Sequence, residues 1–145
     1  MPLRWVIGIA AVASAFLAMD ALRLFSERPL LDFVITVQNH YYYALMGLLL
    51  PLCFLIYPSF RSPKSYWLDG VLSLAAFCTC VFFFINAETM LDYGWEFSAP
   101  AYAVWVSYLL WALIMEGVRR SGGWVLFFLV LVFSLYPIVA DMLPG

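Results

Sequence analysis

Five apolar stretches, at about residues 3–24, 41–57, 67–85, 101–115 and 124–139, alternate with short polar connections. A helix needs about 20 residues to cross a hydrocarbon core of about 30 Å, and each stretch is that long or nearly so. None shows the strict apolar–polar alternation of a transmembrane barrel strand. In lipid every backbone group must find its partner within the segment, so each stretch is expected to be a helix. The expected fold is an all-α integral membrane protein, a single helical domain over residues 1–145. Its helices are placed at about 3–24, 41–57, 67–85, 101–120 and 124–141.

Composition supports the bilayer as solvent. The chain is 66% hydrophobic and 11% charged over 145 residues, with a mean hydropathy of +0.97. A soluble domain is nearer half apolar and a quarter charged, and a small one cannot hide so much apolar surface. The net charge of −2 argues against nucleic acid as a partner. Cys53, Cys78 and Cys80 lie inside apolar runs, form no CxxC and read as small buried hydrophobes.

The connections set an orientation. Residues 25–40 mix Glu27, Arg28 and Asp32, with Pro29 as a breaker. Residues 57–65, YPSFRSPKS, read as a turn broken by Pro58 and Pro63. Residues 86–100 carry Glu88, Asp92 and Glu96 but no Lys or Arg. Cytoplasmic connections collect Lys and Arg. A cytoplasmic N-terminus puts Arg4, Arg61, Lys64, Arg119 and Arg120 inside, and leaves the acidic connection and the C-terminus outside, in the periplasm. Trp5, Trp67 and Trp124 open helices at the inner interface, while Tyr41, Tyr42, Tyr43 and Trp95 lie near the outer one, the depth amphipathic rings prefer. Ala13-Ser14-Ala15 resembles a signal-peptidase site, but the apolar run continues to Leu24, so the first helix is expected to be retained.

Reactive chemistry is sparse. His40 is the sole histidine, and no Gly-rich phosphate loop, GxSxG or carboxylate cluster at metal spacing occurs. Asp20, Asp69, Glu88, Glu116 and Asp141 all fall near helix ends, away from mid-membrane where ion paths run. The chain is therefore expected to be no enzyme and to need no cofactor or metal. Ala10, Ser14 and Ala18 form a small-residue row that suits either a partner interface or packing within the chain. Glu116 can pair with Arg119 and Arg120 if the helix continues through them. With Trp124, these charges read as a membrane anchor or as a clasp to a partner subunit. Gly122 and Gly123 let the chain reverse.

The segment Glu116-Gly117-Val118-Arg119-Arg120-Ser121-Gly122-Gly123-Trp124 resembles the E-A-x-R-R-x-x-G-W stretch of fused permeases of the TRAP (tripartite ATP-independent periplasmic) transporters. The likeness continues through Val132-Phe133-Ser134-Leu135-Tyr136 to Leu143-Pro144-Gly145, similar to that family's V-F-x-x-Y…L-P-G. Upstream, LLLPLCFLIYP at 48–58 and YWLDGVLSLAA at 66–76 resemble its L-x-F-L-x-Y-P and W-x-D-x-x-L-x-x-x-A. The resemblance covers about residues 40–145, and its specific part is Glu116 to Gly145. It departs at Gly117, where alanine is usual, at Pro137, and in the lack of the large domain that follows in the fused proteins.

The resemblance implies the small, separate membrane subunit of a sodium-driven importer of organic acids in the bacterial inner membrane. Its implied partners are a large permease subunit, a periplasmic binding protein of the TAXI class, and membrane lipids. Substrate and ion sites are implied to lie in the large subunit, with this chain enlarging the static scaffold. Glu88, Asp92 and Glu96, acidic and outside, are the expected docking residues for the binding protein. An accessory or assembly subunit of an unrelated membrane complex is the alternative.

Overall fold

The computed structural model describes residues 2–22, 38–58, 63–95 and 97–140. They are almost wholly helical, with no strand among the described residues. Five helices follow in order: α1 Pro2–Ala21, α2 Gln38–Ile56, α3 Pro63–Ile85, α4 Ala87–Asp92 and α5 Ala101–Ala140. Three are long and apolar enough to cross a membrane, over Asn39–Ile56, Tyr66–Ile85 and Ala101–Tyr136, and the apolar part of α1, Trp5–Ala21, is slightly shorter.

The expected fourth and fifth helices are both contained in α5. Gly123 interrupts it at φ 75° and ψ −174°, a backbone region that is essentially glycine's alone. Trp111 Nε1 donates to Ser134 Oγ at 2.6 Å across 23 residues. In a straight helix those residues would be about 34 Å apart at 1.5 Å per residue. The chain therefore folds back at Gly123, and α5 is a hairpin of two arms. Gly122 serves the same bend, because a Cβ there would sit 2.7 Å from Leu126 Cδ2.

Two boundaries differ from the sequence expectation. Pro63 opens α3, where a turn was expected. Its missing N–H costs nothing in a helix's first turn, so it starts the helix and does not break one. The acidic connection contains the short helix α4, whose first residue, Ala87, is buried.

The core lies between α2, α3 and the first arm of α5. Phe54, Ala76 and Leu113 form one buried cluster, and Cys80, Phe83 and Leu110 form a second, with Tyr43 and Met46 packed on it. Small residues bring the helix axes together, as they do where packing and not water drives association. A Cβ on Gly47 of α2 would meet Cys80 Cβ of α3 at 3.3 Å, and one on Gly117 of α5 would meet Leu50 Cδ1 of α2 at 3.1 Å. Ser73 Oγ also donates to the Pro51 carbonyl, joining α3 to α2 at 3.1 Å.

α1 packs on α2. Ala10 is buried, Ser14 and Ala18 are half-buried, and Ser14 Oγ turns back to the Ala11 carbonyl at 3.0 Å. The small-residue row thus lies on the more covered side of α1. The outer side shows Trp5, Ile9, Val12 and Phe16.

Candidate functional site: a buried charge knot

Glu116, Arg119, Arg120 and Trp124, the charged and aromatic group expected from the sequence, meet at one place. The helix does continue through Glu116 and Arg120, so side chains three and four residues apart face each other. Arg119 grips Glu116 with two hydrogen bonds, Nε to Oε2 at 2.7 Å and Nη2 to Oε1 at 2.6 Å. Its guanidinium carbon also lies 5.4 Å from the centre of the Trp124 ring, across the turn. Arg120 Nε donates to the same Glu116 Oε1 at 2.7 Å.

Arg120 then reaches beyond its own helix. Its Nη1 donates to Asp69 Oδ1 of α3 at 2.6 Å and to the Tyr57 carbonyl at the end of α2 at 3.3 Å. Its guanidinium carbon sits 5.1 Å from the ring centre of Phe54, which is fully buried. The Arg120 and Asp69 side chains are only 5% and 4% exposed. The ion pair is thus shielded from solvent, and each partner is what makes the other tolerable there.

Asp69, Phe54 and Tyr57 were not among the expected members of this site. A signal for Asp69 existed: it is the only acid in α3, and a carboxylate on an apolar helix calls for cationic or hydrogen-bonding partners. No comparable signal marks Phe54 or the Tyr57 carbonyl, because both belong to the site through how the helices cross.

Two acids and two guanidinium groups make the knot electrically neutral. Glu116 accepts three hydrogen bonds, so the cluster keeps little capacity for an external anion. Among the described residues no three His, Cys, Asp or Glu side chains could hold a metal ion. What the arrangement can do is mechanical: it locks α5 to α3 and α2 at the end of the bundle where the hairpin turns.

The opposite end carries a second polar contact. Tyr41 donates to Asp20 Oδ2 at 2.7 Å, tying α2 to α1 with both side chains buried. His40 is buried beside it, edge-on to Phe84 at 4.8 Å. Glu88 and Asp92, the expected docking acids, stand exposed on α4 near this end. Glu96, residues 23–37 and residues 141–145 lie outside the described residues.

Comparison with known proteins gives no match to a family model, a curated protein or a solved structure.

Proposed function

We propose that this chain is the small membrane subunit of a TRAP-type importer of organic acids, a scaffold that binds a separate large permease and neither transports nor catalyses alone. One observation carries the reading. The two motifs on which the resemblance rests, W-x-D at Trp67 and Asp69 and E-x-x-R-R at Glu116, Arg119 and Arg120, are distant in sequence, yet their charges close on each other at 2.6 Å. The pairing supports the reading by giving the charged residues of both motifs one shared structural role.

In this reading the chain crosses a bacterial inner membrane five times with its N-terminus in the cytoplasm, α5 supplying two crossings. The segregation of charge supports it. Arg119 and Arg120 lie at one end of the bundle, and α4 at the other end carries Glu88 and Asp92 but no Lys or Arg, the asymmetry of cationic residues that a cytoplasmic first end predicts. A periplasmic binding protein, of the TAXI class, would meet the acidic end.

The test is affinity purification of the chain from mildly solubilised membranes of its own host, with mass spectrometry of what stays bound. A large multi-helix permease at one-to-one stoichiometry is expected. Recovery of the chain alone overturns the reading, and recovery of an unrelated complex puts the accessory-subunit alternative in its place.

A further inference from the structure

α2 carries a proline in its interior, Pro51, and that proline is buried. Proline has no N–H, so the Gly47 carbonyl one turn earlier loses the hydrogen bond that would stiffen the helix there. The weakened turn runs from a glycine to a proline, the two residues least suited to a helix interior. Proline is where helices kink.

The two sides of this turn are held differently. Toward the charge knot α2 is fixed by directional contacts and by the core. Phe54 is fully buried against Ala76 and Leu113. Ser73 of α3 donates to the Pro51 carbonyl at 3.1 Å, and Arg120 donates to the Tyr57 carbonyl at 3.3 Å. Beyond Pro51, α2 meets α3 through rings and apolar side chains. Tyr43 stacks on Phe83 at 5.3 Å between ring centres, and His40 stands edge-on to Phe84 at 4.8 Å. Apolar contact of this kind is non-directional, so the surfaces slide. The Tyr43 phenol does donate to Met90 Sδ of α4, but at 3.9 Å and to a weak acceptor. The firmer bond of this half, from Tyr41 to Asp20 at 2.7 Å, goes to α1.

The same half also has room. At Gly47 the two helices touch, since a Cβ there would meet Cys80 Cβ at 3.3 Å. Beside that contact lies a groove of about 300 Å³ between α2 and α3, lined by Tyr43, Ala44, Gly47, Phe77, Cys80 and Phe84 among others. A tilt of α2 toward α3 closes it.

We infer that α2 is hinged between Gly47 and Pro51: the half next to the charge knot stays fixed, and the half beyond Pro51 swings over this groove and takes α1 with it through the Tyr41–Asp20 bond. Tyr42 stands about 14 Å along the helix axis from Pro51, at 1.5 Å per residue. A bend of about 20° therefore carries it about 5 Å. The hinge belongs to the chain itself and holds whichever complex the chain serves.

The experiment measures distance distributions by pulsed electron spin resonance on the full chain in nanodiscs. Spin labels are carried on genetically encoded residues, so the native cysteines stay. One pair, Tyr42 with Trp105, spans the moving half of α2 and the first arm of α5, and a control pair, Leu55 with Leu68, lies beside the knot. All four positions are exposed. The expected result is a distribution several ångströms broader for the first pair than for the control. Pro51→Ala restores the missing hydrogen bond and keeps the carbonyl that Ser73 holds. It is expected to narrow the first pair to the width of the control and to leave the control unchanged, which also reports that the variant folds. Ala44→Leu, which fills the groove, is expected to narrow the first pair as well. Equal widths for the two pairs in the unaltered chain would overturn the hinge. So would a broad first pair that Pro51→Ala leaves broad, even if Ala44→Leu narrows it, because α2 would then be sliding as a whole and not bending at this turn.

Discussion

The two arms of α5 are made of the same apolar residue types and are joined by a single turn, yet they live in different surroundings. The first arm is gripped. Leu110 and Leu113 sit in the core clusters, Gly117 lets Leu50 close on the helix, and Arg120 ties its end to two other helices. Among the described residues the second arm has none of these, and beyond the turn, where Arg119 lies over Trp124, a hydrogen bond at Ser134 joins it to the first. Hydropathy reports only that both avoid water. It does not report whether a helix is covered by its own chain, by lipid or by another protein. That difference resides in glycines, hydroxyls and charges, a small minority of the residues.

The largest expected effect separates the arms most sharply. Asp69→Ala leaves the Arg120 guanidinium buried with Glu116 as its one remaining counter-charge, and should destabilise the chain towards the lower end of the about 3–5 kcal/mol that breaking a buried pair costs. Thermal unfolding in detergent or nanodiscs measures it. The double variant Asp69→Leu with Arg120→Met should recover most of that loss, since breaking a buried pair costs far more than replacing it. If the double variant were as damaged as the single one, the pair would not be acting as a unit.

Leu113→Ala, in the core cluster, should cost about 2–5 kcal/mol in the same assay. Gly123→Ala forces a side chain into a glycine-only conformation and should cost about 1–3 kcal/mol. Loss of proximity between positions 111 and 134, read by cysteine crosslinking, would show the hairpin opening. Smallest of all, Leu129→Ala on the exposed side of the second arm should change the stability of the isolated chain by less than about 0.5 kcal/mol. A large effect there would mean that the second arm is held by this chain after all.

Much of the fold was legible because lipid leaves few choices. Apolar length located the helices, and the Gly122-Gly123 pair located the reversal, since only glycine supplies that backbone. The Glu116–Arg119–Arg120 contact was legible because it follows from helical spacing within one segment. What the spacing could not reveal was the partner from α3. Asp69 meets Arg120 only once two helices have chosen a crossing register, and a single helix's periodicity carries no record of that choice. Pro63 was misread for a related reason. Proline stops a helix or starts one depending on which side the helix lies, and the polar residues around it hid the answer. The exposed Glu88 and Asp92 remain residues of suitable charge and position, with no geometry that singles them out.

The pairing of Asp69 with Arg120 has a consequence in time. The two residues are 51 positions apart, so at 5–20 residues per second the aspartate is made about 3–10 s before its arginine. Until then the carboxylate of α3 lacks the guanidinium that closes on it in the finished fold, and α2 and α3 together are an unfinished object however well their apolar faces fit. A chain stalled or truncated between these positions would display a face of α3 still missing its arginine to the membrane's quality-control machinery. The completed hairpin withdraws it.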